Sequence, residues 1–213
     1  MSVLVKRSSE RIGALCAASA AVAALYAGSA AVAEVVYSGI VNIAIPTETG
    51  GLFLNVETGQ HNGPSTPAPS SWDLNLNGSA TNSINFWSGS GGATYMRAVG
   101  VSSGFNVGNL PSTAAVGSSG SFATNMSANF GSVTGHWNYN SVNIFGFRFL
   151  SDSGGYKYGW MRVFVGANAQ QRYIMDWAIE TSGGSIMSGV VPGPTGLMAL
   201  AMGAPLFGSR RRK

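Results

Sequence analysis

Few side chains in this sequence can do acid–base chemistry, and they are widely spaced. Asp176 and Glu180 fall on one face of a predicted strand, where four residues separate them by about 13 Å. The paired carboxylates of glycosidases lie roughly 5 to 10 Å apart, so this spacing argues against a catalytic pair. Asp152 is a third acid that a turn can bring near either one. The favoured interpretation is an ion pair between Lys157 and Glu180 across a hairpin, with no catalytic residue.

The histidines and the single cysteine do not form a ligand set. His61 and His136 are isolated from each other, and Cys16 lies in an apolar N-terminal segment. Transition-metal sites need clustered histidine, cysteine or carboxylate ligands. The stretch 152–155 contains one carboxylate, whereas a calcium loop supplies several. The sequence therefore predicts no metal and no cofactor.

Aromatic side chains are numerous and suggest binding rather than catalysis. Flat rings exposed on a β-sheet can stack on the apolar faces of sugars. The candidates for such a carbohydrate-binding surface are Trp137, Tyr139, Tyr158 and Trp160. The alternative is that the rings belong to the core, because aromatic residues supply much of the area that a domain buries. Trp137 and Tyr139 form the pair expected to lie outside.

The N-terminus has the three parts of a secretory signal peptide. Basic residues precede an alanine-rich apolar run at 12–26, and Ala31 and Ala33 form a small-x-small cleavage site. The expected partners are signal peptidase and the general secretion machinery. Cys16 lies inside the apolar run, so the expected mature chain, which begins at Glu34, has no disulfide.

The C-terminal tail, residues 190–213, combines a proline hinge, a short apolar run at 197–207 and a basic end. This order resembles the PEP-CTERM sorting signal of Gram-negative bacteria. The resemblance implies an exosortase-type processing enzyme, with Gly193 where that family has Glu. The matching residues are Pro192, Gly193, Pro194, Arg210, Arg211 and Arg212. As a helix the apolar run covers roughly 16 Å of a roughly 30 Å hydrocarbon core, which suits transient retention in the inner membrane.

The two ends account for the positive charge of the whole chain. The sequence has 12 Lys and Arg against 8 Asp and Glu, but residues 34–189 hold five basic and seven acidic side chains. No basic patch remains, so nucleic acid is not an expected partner. About 155 residues are enough for one domain. Their Gly, Ser, Asn and Thr content, with many aromatic and β-branched residues, favours an all-β fold.

Alternating and apolar runs predict the strands. They fall at 35–45, 52–56, 72–76, 84–87, 94–99, 142–150, 156–165 and 171–180. The second run is expected to pair with the first, and residues 100–140 are expected to be mostly loop. Short strands between Gly and Asn turns predict an antiparallel two-sheet sandwich, with a jelly roll among its arrangements. Helix is expected only in the signal peptide and in the short apolar segment of the tail.

A second resemblance covers about 70 residues of the body. The residues that carry it are Leu110, Val116, Gly117 and Phe122, then Gly146-Phe147-Arg148-Phe149, the run 156–163 and the run 174–180. They are similar to an uncharacterised domain of exported proteins that carry the same tail. Lys157 stands where that domain has a histidine. The resemblance implies localisation at the cell surface or outside the cell. We therefore expect a non-catalytic structural or exopolysaccharide-binding domain, and the alternative is a polysaccharide-active enzyme, a glycosidase or lyase, on a similar β-sandwich.

Overall fold

The computed structural model describes residues 34–78, 80–89, 92–131, 137–168 and 170–192. Over these residues the chain is all-β, and no helix there is long and apolar enough to cross a membrane. The predicted signal peptide at 1–33 and the predicted apolar helix of the tail lie outside the described residues. So do Ala31, Ala33, Gly193, Pro194, Arg210, Arg211 and Arg212. Pro192 is the last described residue and is exposed.

The described chain forms fourteen strands. In chain order they are β1 Val35–Tyr37, β2 Ile43–Ala44, β3 Leu52–Leu54, β4 His61–Asn62, β5 Leu74–Asn77, β6 Ser83–Trp87, β7 Thr94–Met96, β8 Ala115–Val116, β9 Phe122–Ala123, β10 Met126–Asn129, β11 Ser141–Leu150, β12 Tyr156–Val165, β13 Arg172–Glu180 and β14 Ile186–Met187. Seven of them form sheet A, in the order β1-β13-β12-β11-β7-β9 with β2 also on β13. Five form sheet B, in the order β10-β6-β5-β3-β4, and β14 pairs with β8. Every pairing between these strands is antiparallel.

The main buried cluster draws on both large sheets. Leu74 and Phe86 of sheet B belong to it together with Phe145 and Phe147 of sheet A. The rings of Phe86 and Phe145 meet edge to face, with centroids 5.0 Å apart. Along β5, β6 and β10, residues that enter this cluster alternate with residues on the opposite face. The opposite face carries Asn75, Asn77 and Asn85 together with the rings of Phe53 and Trp87.

Sheet A contributes to a second buried cluster through its other face. This cluster contains Tyr158, Trp160 and Ala178 together with Leu110 and Ile186. The latter two residues come from segments outside sheet A that cover it. The middle of β12 and the second half of β13 are therefore buried on both faces, whereas β11 alternates buried residues with half-buried ones over much of its length.

The three long strands predicted near the C-terminus are confirmed, but the strict alternation predicted for the last one is wrong. Arg162 pairs with Asp176 and Val163 pairs with Ile174, so Met175 is the extra residue of a β-bulge. The bulge shifts the alternation by one position, which places Ile174 in the same cluster as Trp177.

Three other expectations about the strands need correction. The run at 35–45 is interrupted, because Gly39 and Asn42 have positive φ angles and β1 and β2 pair separately with β13. The run at 52–56 does not pair with it, since β3 belongs to sheet B. The middle of the chain is more ordered than predicted, because β8, β9 and β10 all lie between residues 100 and 140.

Candidate functional site

Three of the four aromatic residues predicted to bind carbohydrate are buried. Trp137 and Trp160 are fully buried, and Tyr158 is nearly so. The indole N–H of Trp137 donates to the carbonyl of Val107 at 3.2 Å, which fixes the ring inside the core. The expectation that Trp137 lies outside is therefore wrong. Tyr139 is 41% exposed and packs edge-on against Phe130, whose ring also stacks on Trp137.

The acidic residues on β13 take part in internal contacts. Both Asp176 carboxylate oxygens accept hydrogen bonds from the guanidinium of Arg162, and one also accepts from the Tyr37 hydroxyl at 2.6 Å. These contacts hold the pKa of Tyr37 above its usual value of 10.0, chiefly through the hydrogen bond to the carboxylate. Asp176 is thus a structural group under the edge strand β1.

The ion pair expected between Lys157 and Glu180 does not form. Glu180 is fully buried and its Oε1 accepts the N–H of Ser182 at 2.8 Å. The register pairs Glu180 with Tyr158, and the Lys157 ammonium group donates to the carbonyl of Thr181. The predicted register holds from the Val165–Arg172 pair to the Val163–Ile174 pair, and the bulge then shifts it by one position, which explains the wrong partner.

One groove on the polar face of sheet B collects side chains that suit ligand binding. It has a volume of about 470 Å³, within the usual range for ligand sites. Its described lining consists of Thr49, Gly50, Phe53, Asn75, Asn77, Asn85, Phe86, Trp87, Asn125, Met126 and Ser127. We call it the amide groove. Every described side chain that lines it is uncharged at neutral pH.

A chain of hydrogen-bonded amides forms the floor of the amide groove. The Ser127 hydroxyl donates to Oδ1 of Asn85 at 2.9 Å, and Nδ2 of Asn85 donates to Oδ1 of Asn77 at 3.2 Å. The strand register explains the chain, because Asn85 lies opposite Asn77 on one side and Ser127 on the other. Among the described residues, Nδ2 of Asn77 has no acceptor, so the chain ends in a donor.

Aromatic rings form one wall of the amide groove. Trp87, at the end of β6, is 49% exposed. It stacks on Trp72 with centroids 5.5 Å apart and an interplanar angle of 22°, and Phe53 meets the edge of Trp72 at 5.0 Å. A Cβ on Gly89 would lie 2.3 Å from the Trp72 ring, so glycine is required there for the stack.

The loop before β3 fixes the amide of Asn75 beside the rings. Nδ2 of Asn75 donates to the carbonyl of Gly50 at 2.9 Å. Gly51 has φ +73, and a Cβ there would lie 2.4 Å from Oδ1 of Asn75. Any side chain at position 51 would have to adopt a positive φ angle and would collide with the Asn75 amide, so only glycine fits there. At the other end, Asn125 and Ser88 exchange two hydrogen bonds that hold β10 against the strand end at Trp87.

A buried arginine braces the hairpin that carries the floor. Arg172 is fully buried and donates to four backbone carbonyls, those of Gly78, Ala80, Thr81 and Ser83, in the connection between β5 and β6. Its guanidinium also lies 5.0 Å from the centre of the Phe130 ring. Burial lowers the pKa of Arg172. Through its four hydrogen bonds, the Arg172 side chain fixes the turn between the strands that carry Asn77 and Asn85.

Two other grooves lie on the described surface. One of about 710 Å³ is lined by Met96 and by residues 98–102, 111–115 and 119–121, which are mostly small or apolar. The other, of about 400 Å³, contains Glu57 and His61. The Glu57 carboxylate is already occupied, since it accepts the Ser151 hydroxyl at 2.7 Å and the Asp152 N–H at 3.1 Å. Within the described ranges, no three His, Cys, Asp or Glu side chains are grouped to hold a metal ion.

Sequence reasoning missed the amide groove although part of its signal was visible. The predicted strands at 72–76 and 84–87 placed Asn75, Asn85 and Trp87 on the face opposite the leucine and phenylalanine residues. Asparagine is also a common turn residue, so its positions on a strand face did not stand out. In comparisons with protein-family models, with curated proteins and with solved structures, the chain matched none.

Proposed function

We propose that residues 34–189 form an exported, non-catalytic β-sandwich domain that binds polysaccharide in the amide groove. The sandwich arrangement is supported by the buried cluster that both sheets share, in which Phe86 of sheet B touches Phe145 of sheet A. The binding role is supported above all by one observation. An exposed indole, Trp87, stands beside a floor of fixed amides that end in an open donor.

The two kinds of surface in the amide groove match the two kinds of surface on a sugar. Aromatic rings are complementary to the apolar C–H faces of a pyranose, and amides donate to and accept from its hydroxyl groups. A wholly apolar ligand would cover Oδ1 of Asn75 and Nδ2 of Asn77 and leave these two atoms without hydrogen-bond partners, which costs free energy. A hydroxyl-rich ligand with apolar faces satisfies both surfaces.

The route to the cell surface is proposed from the two ends of the sequence. Export through the general secretion machinery would be followed by signal peptidase cleavage after Ala33. The tail would hold the chain transiently in the inner membrane until an exosortase-type enzyme processes it near Pro194. Intact mass measured on host fractions tests this route. A secreted form that begins at Glu34 and ends near Pro194 is expected, and a full-length C-terminus retained in the inner membrane would contradict it.

The binding proposal is tested with one variant and a matched control. Trp87→Ala removes the exposed ring of the amide groove. Tyr156→Ala removes a ring of the same 49% exposure on sheet A, outside the groove. A stacked ring contributes about 1 to 3 kcal/mol in other stacking sites, so we expect Trp87→Ala to weaken polysaccharide binding about tenfold or more. Equal binding by the two variants would refute the assignment of the groove.

A further inference from the structure

We infer that the amide groove takes an uncharged glycan and discriminates against acidic polysaccharides. This inference rests on the proposed function and names its ligand class. Recognition of uronate or sulfate groups normally relies on arginine or lysine, which pair with anionic oxygens. The described chain has five such side chains, and internal contacts occupy all of them.

Three of these cations are fixed on sheet A. Arg162 is paired with the Asp176 carboxylate. The Arg148 guanidinium lies between the rings of Phe122 and Tyr156, at 5.1 and 4.8 Å from their centres. Lys157 donates to a backbone carbonyl. None of the three lines the amide groove.

The remaining two cations brace loops. Arg97 donates to the carbonyl of Gly104 at 2.7 Å and to the Ser121 hydroxyl at 2.9 Å. Arg172 is fully buried and donates only to backbone carbonyls of the described chain. An anionic ligand in the amide groove would therefore lose its hydration without gaining a positively charged partner.

The surroundings of the amide groove are unfavourable to anions as well. Glu48 is exposed and immediately precedes Thr49 and Gly50, which line the rim. Residues 34–192 hold five basic against seven acidic side chains, a net charge of −2. Charges of this sign repel a polyanion over a distance of about 10 Å at about 0.1 M salt.

The groove offers a donor and an acceptor at matched positions for hydroxyl groups. Asn75 and Asn77 point to the same face of β5, about 7 Å apart. Nδ2 of Asn75 is held by Gly50, which leaves its Oδ1 as the acceptor, while Asn77 presents a donor. The groove crosses β3, β5, β6 and β10, a width of about 14 Å, which accommodates a short run of sugar units.

The test compares neutral and acidic polysaccharides on the full-length chain. The protein is immobilised, and a mixed-linkage β-glucan, a galactomannan and dextran are titrated against alginate and polygalacturonate by surface plasmon resonance. Each titration is repeated with Trp87→Ala, because the basic residues at 210–213 can hold acidic polymers without the groove. Only the response that this variant loses is counted as binding in the groove.

We expect Trp87-dependent binding to at least one neutral glycan, with affinity that changes less than about twofold between about 50 and 500 mM NaCl. Trp87-dependent preference for alginate or polygalacturonate, weakened about tenfold by the same salt, would overturn the inference and leave the proposed function standing. Absence of any Trp87-dependent binding in both classes would overturn the proposed function, and the inference with it.

Discussion

Asp73 makes the stability of this domain depend on pH. The residue immediately precedes β5, is 5% exposed, and accepts the N–H of Val56 at 2.8 Å. Burial raises the pKa of its carboxyl group from 3.8 to about 7, against the lowering effect of the Val56 N–H. The negative charges of Glu57 and Asp152 raise it further. Asp73 is therefore protonated in the folded protein over a range where it is ionised in the unfolded chain.

The sign of the effect follows from proton binding. Below about pH 4, Asp73 is protonated in both states and has no effect on their balance. Between about pH 4 and pH 7 the unfolded chain loses this proton first, so the free energy of unfolding falls as pH rises. Above about pH 7 both states are ionised and the loss is complete. A shift of this size corresponds to about 2 to 4 kcal/mol.

The variant Asp73→Asn isolates this contribution. Its carboxamide keeps the oxygen that accepts the Val56 N–H and cannot ionise. We expect urea unfolding to show the variant gaining stability over the parent as pH rises, by about 2 to 4 kcal/mol from pH 4 to pH 7. Glu57→Gln removes one neighbouring charge and should shift the same window towards lower pH.

Two outcomes would refute the reasoning about Asp73. If the difference between parent and Asp73→Asn is constant across this pH range, the folded carboxyl group titrates like an exposed one and burial does not perturb it. If the parent gains stability over the variant as pH rises, the carboxylate is stabilised in the folded state, and the sign is wrong. Carbon-detected NMR titration of the Asp73 side chain distinguishes these cases directly.

Two further predictions concern the supports of the amide groove. Arg172→Lys should lower the free energy of unfolding by about 3 to 5 kcal/mol, because one ammonium group cannot reach four carbonyls, whereas Arg148→Lys should cost less than half of that in the same urea experiment. Gly51→Ala should cost about 1 to 3 kcal/mol more than Gly39→Ala, since both have φ near +70 but only the former directs a Cβ at Asn75. Equal losses of unfolding free energy in the two arginine variants, or in the two glycine variants, would contradict the corresponding account.

The sequence predicted the strands best where the pattern of apolar residues and flanking turns is unambiguous. Strands β11, β12 and β13 are long, apolar and separated by clear turns, so they were predicted close to their true bounds. The bulge at Met175 was not predictable, because its cause is the pairing with a neighbouring strand. That one residue changes which side chains of β13 share a face.

Burial of the aromatic residues could not be read from local pattern. Tyr158 and Trp160 alternate on β12 as surface-facing residues of a simple sandwich would. Contacts distant in sequence bury them, since Leu110 and Ile186 join the cluster on that face. Of the four predicted rings, Trp137, Tyr158 and Trp160 are buried and Tyr139 is exposed, whereas the exposed ring in the amide groove is Trp87, which lies at a strand end.

The sheet topology limits which surfaces of this domain can bind a ligand. Sheet A contributes to buried clusters on both faces, and the exposed apolar side chains of its long strands, Val142, Leu150 and Tyr156, lie near the strand ends. Sheet B contributes its apolar residues to one cluster, and its other face carries the amides of Asn75, Asn77 and Asn85. Nδ2 of Asn77 has no acceptor among the described residues and is not one of the buried atoms left without a partner, so it meets solvent. A hydroxyl-bearing ligand in the amide groove would therefore replace water at this donor without burying an unpaired group.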